Sequence, residues 1–213
     1  MSRSLSPIDQ LIANFDQGMR TVFGRPEVTE RPDPATSVKE GELSDAEKKL
    51  SSCLMRINHA GEVAAQALYQ GQALTARNKN VKQQMERSAQ EEYDHLDWCE
   101  KRVKALDSHT SYLNPLVYTG SLTIGALAGA IGDKWSLGFV VETEKQVGRH
   151  LEEHLDRLPK NDHKSRAVLE QMDIDEAHHA DVAQQAGAAE LPPPIKFAMK
   201  LTSKLMTKSV YWV

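Results

Sequence analysis

Residues 91–95 read Glu-Glu-Tyr-Asp-His, and residues 175–179 read Asp-Glu-Ala-His-His. Both follow one plan: an acid, then Glu-x-x-His. On a helix, residues three apart share a face, so each stretch presents a carboxylate and an imidazole side by side. That pairing suits iron, manganese or zinc. One such pair arises easily by chance on a surface helix. Two in a chain of 213 residues point to a centre built between two helices.

Caps, breakers and periodicity place those helices. Ser44 with Glu47 three residues on is a capping box. A long helix is expected from there to about Asn78, and a second from about Asn80 to Asp107. A third runs from about Asp133 to Leu158. Pro159 and Asn161 mark the break, and a fourth helix runs to about Ala186, with Gly187 as its stop. Two hairpins of this kind need one long connection, and residues 108–132 supply it. That connection holds no Asp, Glu, Lys or Arg, and it carries Pro115, Gly120, Gly125, Gly129 and Gly132.

Outside this bundle, Ile8, Leu11, Ile12, Phe15, Met19, Val22 and Phe23 recur at helical spacing and predict a short amphipathic helix. Gly24 is expected to end it, and Pro26, Pro32 and Pro34 forbid its continuation, which leaves residues 24–43 as a linker or extended arm. After a rigid turn at Pro192–Pro194, residues 195–210 read as a last short helix. The expected organisation is therefore an arm over 1–43, a bundle over 44–190 and a tail over 191–213. Strand signals are almost absent, so the fold class is all-α.

Composition narrows the function. Thirty acidic and 26 basic residues give a net charge of -4, the wrong sign for a general nucleic-acid binder. Cys53 and Cys99 cannot build a disulfide framework or a Cys-rich zinc site, and they fit a reducing compartment. A mean hydropathy of -0.52 excludes a polytopic membrane protein. The N-terminal residues carry no pattern of a secretory leader.

Ferritin-like di-metal bundles take Glu-x-x-His from two helices and a single Glu from each of the other two. The first helix supplies Glu62, 30 residues before Glu92. The third offers Glu142 or Glu144. Glu144 shares its face with Leu137, Val141, Leu151 and Leu155, whereas Glu142 sits with Gln146, Arg149 and Glu153. A ligand in the core must sit on the apolar face, so Glu144 is chosen, 32 residues before Glu176. Glu62 lies with Met55, Ala65, Tyr69 and Ala73, and Glu92 with Ala89, Leu96, Cys99 and Val103. On the fourth helix periodicity does not separate Glu176 with His179 from Asp175 with His178. The parallel with Glu92 and His95 favours the first pair.

Four buried carboxylates without cations are prohibitively costly. Two divalent ions cancel their charge, and two neutral imidazoles complete the set. Such donors suit two irons cycling between ferrous and ferric. Zinc has no redox chemistry, magnesium rarely takes histidine, and manganese meets the same donor preferences as iron. If these side chains were merely solvated, their helix faces would be polar, and the faces above are apolar.

The segment Arg56-Ile57-Asn58-His59-Ala60-Gly61-Glu62-Val63-Ala64-Ala65 resembles the first-helix signature of the di-iron hydroxylases of ubiquinone biosynthesis, the 3-demethoxyubiquinol 3-hydroxylases. Glu92-x-x-His95, Val140-Val141-x-x-Glu144 and Asp175-Glu176-Ala177-His178-His179 are similar to the rest of that family's ligand pattern. The resemblance covers about residue 44 to the end, and residues 1–43 lie outside it. It implies a ferritin-like fold with Glu62, Glu92, His95, Glu144, Glu176 and His179 holding two iron ions per chain. It implies an oxygen-dependent monooxygenase that hydroxylates a polyprenyl methoxy-methyl-benzoquinol. The family uses no flavin of its own, and no Gly-rich dinucleotide fingerprint follows a strand here. Electrons are thus expected from an external donor. A homo-oligomer and other proteins of ubiquinone biosynthesis stand as candidate partners. The alternative is a ferritin-like iron-storage or ferroxidase protein with the same six residues. In a soluble shell, however, the hydrophobic 108–132 stretch and the lysine-striped tail would have no purpose.

A polyprenyl substrate requires access to a bilayer, so the expectation is a peripheral membrane protein, on the cytoplasmic face in a bacterium. Residues 108–132 would form a hydrophobic wall or a membrane-dipping segment, their Pro and Gly content weakening a full span. Lys196, Lys200, Lys204 and Lys208 form one stripe beside Phe197, Leu201 and Leu205. A basic amphipathic helix suits an anionic surface, with Tyr211 and Trp212 at headgroup level. The competing expectation packs this helix on the bundle with solvated lysines. His59 is read as a supporting or structural group, and His150 as orienting a ligand or lying at the surface. Tyr93, Cys53 and Cys99 are read as packing residues.

Overall fold

The computed structural model describes residues 6–23 and 31–213. Among them the regular structure is entirely helical: α1 (Pro7–Phe23), a 3-10 turn (Pro34–Ser37), α2 (Asp45–Thr75), α3 (Lys79–Ala105), α4 (Asn114–Ile131), α5 (Asp133–Arg157), α6 (His163–Gln185) and α7 (Pro193–Trp212). Gly24 and Pro26, expected to end the first helix, lie outside the described residues. Helices α2, α3, α5 and α6 form the bundle, with α2 packed on α3 and α5 on α6. This is an all-α, ferritin-like fold, and its one long crossover joins α3 to α5.

The caps explain the starts. Ser44 Oγ accepts from the Glu47 N–H, while the Glu47 carboxylate accepts from the Ser44 N–H at 2.8 Å. Asn78 caps α3 through the Asn80 N–H, and Asp162 caps α6 through the Ser165 N–H at 3.0 Å. The turn between α2 and α3 is tied to the start of α5. There the Asp133 carboxylate accepts from the Arg77 and Asn78 N–H groups at 3.0 and 2.8 Å.

Two apolar layers divide the bundle along its axis. One gathers Leu54 and Met55 of α2, Trp98, Cys99 and Val103 of α3, Leu151 of α5, and Val168, Leu169 and Met172 of α6. The other gathers Ala65 and Tyr69, Val81, Met85 and Ala89, Leu137 and Val141, and Ala183 from the same four helices. Each helix crosses one layer, then a short stretch of polar positions, then the other. Glu62, Glu92, His95, Glu144, Glu176 and His179 all fall in that stretch.

The crossover is more ordered than its composition suggested. Residues 114–131 form a helix, α4, lying along α2. Pro115 sits in its first turn, where a missing N–H costs nothing. A Cβ on Gly125 would collide with the Leu68 carbonyl, and one on Gly71 with the Leu122 carbonyl. The glycines that argued against a spanning helix are what let α4 approach α2 this closely. The prolines at 193 and 194 likewise begin α7 rather than forming a turn ahead of it. Residues 31–43 pack as a strap. Ala35 enters the first apolar layer, and Glu40 receives both terminal nitrogens of Arg102 at 2.8 and 2.9 Å.

Among the described residues no helix is long and apolar enough to cross a membrane. Three helices nevertheless turn large apolar side chains outward: Ile12, Phe15 and Phe23 of α1, Leu116, Leu127 and Ile131 of α4, and Phe197, Leu201 and Leu205 of α7. Helix α1 seats its small and polar side on the protein. Gly18 lies against Tyr118, and the Asn14 carbonyl accepts from Gln70.

Candidate metal centre

The bundle brings the six expected side chains together. Donor atoms of Glu62, Glu92, His95 and Glu176 lie within 4.8 Å of one another, as do those of Glu144, Glu176 and His179. Glu176 belongs to both groups. All six residues are buried, with His179 the most accessible at 5%. His178 is exposed and half-buried Asp175 stands outside both groups, so the two pairs that periodicity left tied occupy different environments. Glu142 is likewise outside, accepting from Gln146 at 2.8 Å.

The chemistry of this cluster favours cations. His95 Nδ1 lies 3.1 Å from Glu92 Oε2, 3.2 Å from Glu176 Oε1 and 3.5 Å from Glu62 Oε2. His179 Nδ1 lies 3.3 Å from oxygens of both Glu92 and Glu176. Glu92 Oε1, Glu144 Oε2 and Glu176 Oε1 are buried and accept no hydrogen bond among the described residues. Burial, reinforced by the neighbouring carboxylates, drives the Glu62 and Glu144 carboxyls well above the usual range. Burial alone would lower both histidines, but the surrounding acids outweigh it and hold them well above the usual imidazole value. Burial would raise Glu92, yet the two imidazoles hold it well below. Oxygen and imidazole donors in a field that selects positive charge fit a pair of metal ions with Glu176 shared.

Behind the cluster the two motifs exchange partners. His95 Nε2 donates to Asp175 Oδ2 at 2.9 Å, and His179 Nε2 donates to Glu91 Oε2 at 2.8 Å. Each acid is the residue preceding the Glu of the opposite motif. An ionised carboxylate only accepts, so each imidazole keeps a proton on Nε2, and Nδ1, which faces the cluster, is the nitrogen that would give up its proton to a metal ion. Burial raises Asp175, but hydrogen bonds from His95 and Arg31 prevail and hold it at about 2. The hydrogen bond from His179 holds Glu91 below the ordinary carboxylate value. Tyr69 donates its hydroxyl to Glu144 Oε1. Burial and the nearby acids push this phenol well above its usual value and keep it a donor.

Sequence reasoning missed these supporting roles. Glu91 was visible as the first acid of its motif, and Tyr69 as a neighbour on the Glu62 face, but neither signal said what the side chain would touch. The other candidates fall elsewhere. Asn114 Nδ2 donates to His59 Nδ1 at 3.4 Å, and burial pushes this histidine down to about 4. His150 meets Ser203 Oγ of α7 at 3.1 Å. Tyr93 packs with Val63, Ala67 and Leu96, Cys99 lies against Met172, and Cys53 is buried.

An apolar cavity of about 320 Å³ opens beside the cluster, walled by Leu68, Ile124, Phe139, Thr143 and Met206 among others. Ala65, Leu68, Phe139 and Thr143 line both this cavity and a void of about 10 Å³ that touches Tyr69 and Glu144. The barrier between cavity and cluster is therefore about one side chain thick.

Comparison with known proteins places the chain in a family. The family model described as ubiquinone biosynthesis protein COQ7 matches residues 49–210. A protein of Nitrosococcus oceani named 3-demethoxyubiquinol 3-hydroxylase is 60% identical over 99% of both chains. Proteins of the same name from Chromohalobacter salexigens and Pseudomonas fluorescens are 55% and 56% identical, covering 99% and 98% of this chain and 99% and 97% of theirs. Among solved structures, a manganese catalase from Anabaena superposes with a TM-score of 0.50 at 18% identity, covering 74% of this chain and 77% of that one. That likeness speaks to the fold alone.

Proposed function

The chain belongs to the ubiquinone biosynthesis protein COQ7 family and acts as a demethoxyubiquinol hydroxylase; from that premise we propose that Glu62, Glu92, His95, Glu144, Glu176 and His179 hold two iron ions per chain. The observation that supports this reading is the meeting of those six buried side chains between two apolar layers. Held by these six residues, a redox-active iron pair would supply the oxygen activation that hydroxylating the ring requires, with electrons from an external donor. Manganese fits the same donors, and the redox demand of the reaction favours iron.

The chain's own residues supply charge, orientation and exclusion of water. Four carboxylates balance two divalent ions, and the two imidazoles, held in one tautomer by Asp175 and Glu91, add neutral donors. Tyr69 restrains one oxygen of Glu144 and leaves the other facing the cluster. The cavity walled by Leu68, Ile124 and Phe139 suits an apolar ring and the start of its prenyl tail.

The protein docks peripherally on a bilayer in this reading, through the outward apolar residues of α1, α4 and α7, with Lys200, Lys204 and Lys208 against anionic headgroups. Removing residues 195–213 is expected to lower sedimentation with anionic liposomes while leaving iron bound. Unchanged sedimentation refutes the role of α7.

The centre is tested by iron content and demethoxyquinol turnover. Wild type is expected to hold about two irons per chain, and Glu92→Ala and His179→Ala are expected to hold less iron than wild type and to lose turnover. Normal iron and activity in both variants overturns the ligand assignment.

A further inference from the structure

One cation reaches the centre from outside the bundle. Arg31 Nη2 donates to Asp175 Oδ2 at 2.5 Å, the same oxygen that accepts from His95 Nε2. Arg31 Nε lies 3.1 Å from Asp94 Oδ2, on a side chain with no exposure at all. The guanidinium also lies 4.9 Å over the Trp98 ring, whose centroid is 5.4 Å from that of His95. Two carboxylates and an aromatic face thus fix one planar group.

The strap explains how Arg31 arrives there. Arg31 precedes Pro32, which restricts it to extended backbone. Two residues later Asp33 Oδ1 accepts from the Ala35 N–H at 2.8 Å, and Ala35 is buried in the first apolar layer. The strap is anchored just beyond Arg31, and the side chain reaches Asp94, Asp175 and Trp98.

We propose that Arg31 is a positioning residue for the metal centre: it holds the Asp175 carboxylate in place, and Asp175 in turn keeps His95 Nδ1 aimed at the cluster. This rests on the reading of the six residues as metal ligands. Apart from Arg31 and His95, Asp175 has a hydrogen bond from Gln171 to its other oxygen at 3.0 Å. With Arg31 gone, this half-buried carboxylate is free to turn toward water and loosen its grip on the imidazole. A lysine would bring the charge but not a planar group able to meet Asp94, Asp175 and Trp98 together.

The test uses full-length iron-loaded protein and the variants Arg31→Gln, Arg31→Lys, Asp175→Asn and the Arg31→Gln/Asp175→Asn double variant. The readouts are the rate of iron release from reduced protein to a ferrous chelator and the visible absorption spectrum of the ferric protein. Arg31→Gln is expected to release iron about 10-fold faster, the low end of the usual effect of removing a ligand's outer partner, and to shift the spectrum. Arg31→Lys should stay close to Arg31→Gln. The double variant should release iron no faster than Asp175→Asn alone, because both substitutions act on one contact. Wild-type release and spectrum in Arg31→Gln, even with a lower unfolding temperature, make the contact merely structural and overturn the proposal, as does an additive double variant. If the wild type itself takes up no iron, the ligand reading falls and carries Arg31 with it. An inert Arg31→Gln in an iron-holding background removes Arg31 alone.

Discussion

His95 and His179 each face the cluster through Nδ1, and each passes its outer N–H to an acid on the opposing motif. There the likeness between the two halves stops. Behind His95, Asp175 is gripped by Arg31, which is itself fixed by Asp94 and Trp98. Behind His179, Glu91 pairs with Arg87 at 3.1 Å one helical turn away, and the Arg87 side chain is 83% exposed. Exposed pairs of this kind contribute little to stability. The two halves repeat one plan in sequence, and among the described residues the strap's Arg31 makes its hydrogen bond to the acid behind His95, reaching Glu91 through charge alone. A centre whose two sides are held unequally should respond unequally to matched substitutions.

The largest break in the comparison comes from the ligands themselves. Glu176 belongs to both donor groups, and Glu144 to one. Glu176→Ala should therefore abolish bound iron, whereas Glu144→Ala should retain about one iron per chain, with turnover lost in both. Equal iron loss in the two variants would mean that the positions fill only as a pair. Next come the outer acids. Asp175→Asn should cost on the order of 10- to 100-fold in iron affinity. Glu91→Gln should fall at or below the bottom of that range, since the carboxylate it replaces is more loosely held. Iron titration of both variants checks the order, and a larger loss in Glu91→Gln would reverse the asymmetry. Smaller still is Arg87→Gln, for which iron release should match wild type and the stability change should stay within about 0.5 kcal/mol.

These contrasts also mark what was legible in the sequence. Helix periods, the Ser44 capping box and two nearly equal Glu…Glu-x-x-His spacings were enough to lay out the bundle and bring six residues to one level. These are local patterns, and apolar neighbours on the same face place each residue inward. Contacts that cross helices were beyond that reach. No period tells that Tyr69 will find Glu144, that Glu91 will serve His179, or that Arg31, 144 residues from Asp175, will touch it. The packing of the crossover was out of reach for a related reason. Its glycines weaken a full membrane span, and their further use is relational: Gly125 of α4 and Gly71 of α2 are small because the other helix passes close by.

A pH-dependent effect, absent from the centre's own ranking, concerns histidines away from it, again one in each half. His59 of α2 and His154 of α5 are buried beside Asn114 and Asn58 rather than beside acids. Burial lowers them to about 4 and about 3, the opposite direction to His95 and His179. The sign follows from proton counting. Below the unfolded value of about 6.5 the unfolded chain binds a proton that the folded chain refuses, so stability present above that pH is lost as pH falls. The loss should reach about 1.4 kcal/mol per pH unit per histidine once pH is well below 6.5. It should cease near pH 4 for His59 and continue to about pH 3 for His154. At pH 7 each contributes about a quarter of that slope, and well above pH 7 none. Chemical unfolding of wild type, His59→Gln and His154→Gln between pH 7 and pH 4.5 checks this, with each variant expected to remove about half of the slope that these two residues supply. A His154→Gln curve parallel to wild type would show that the imidazole gains its proton inside the fold, and the contrast between acid-lined and amide-lined histidines would fail on the α5 side first.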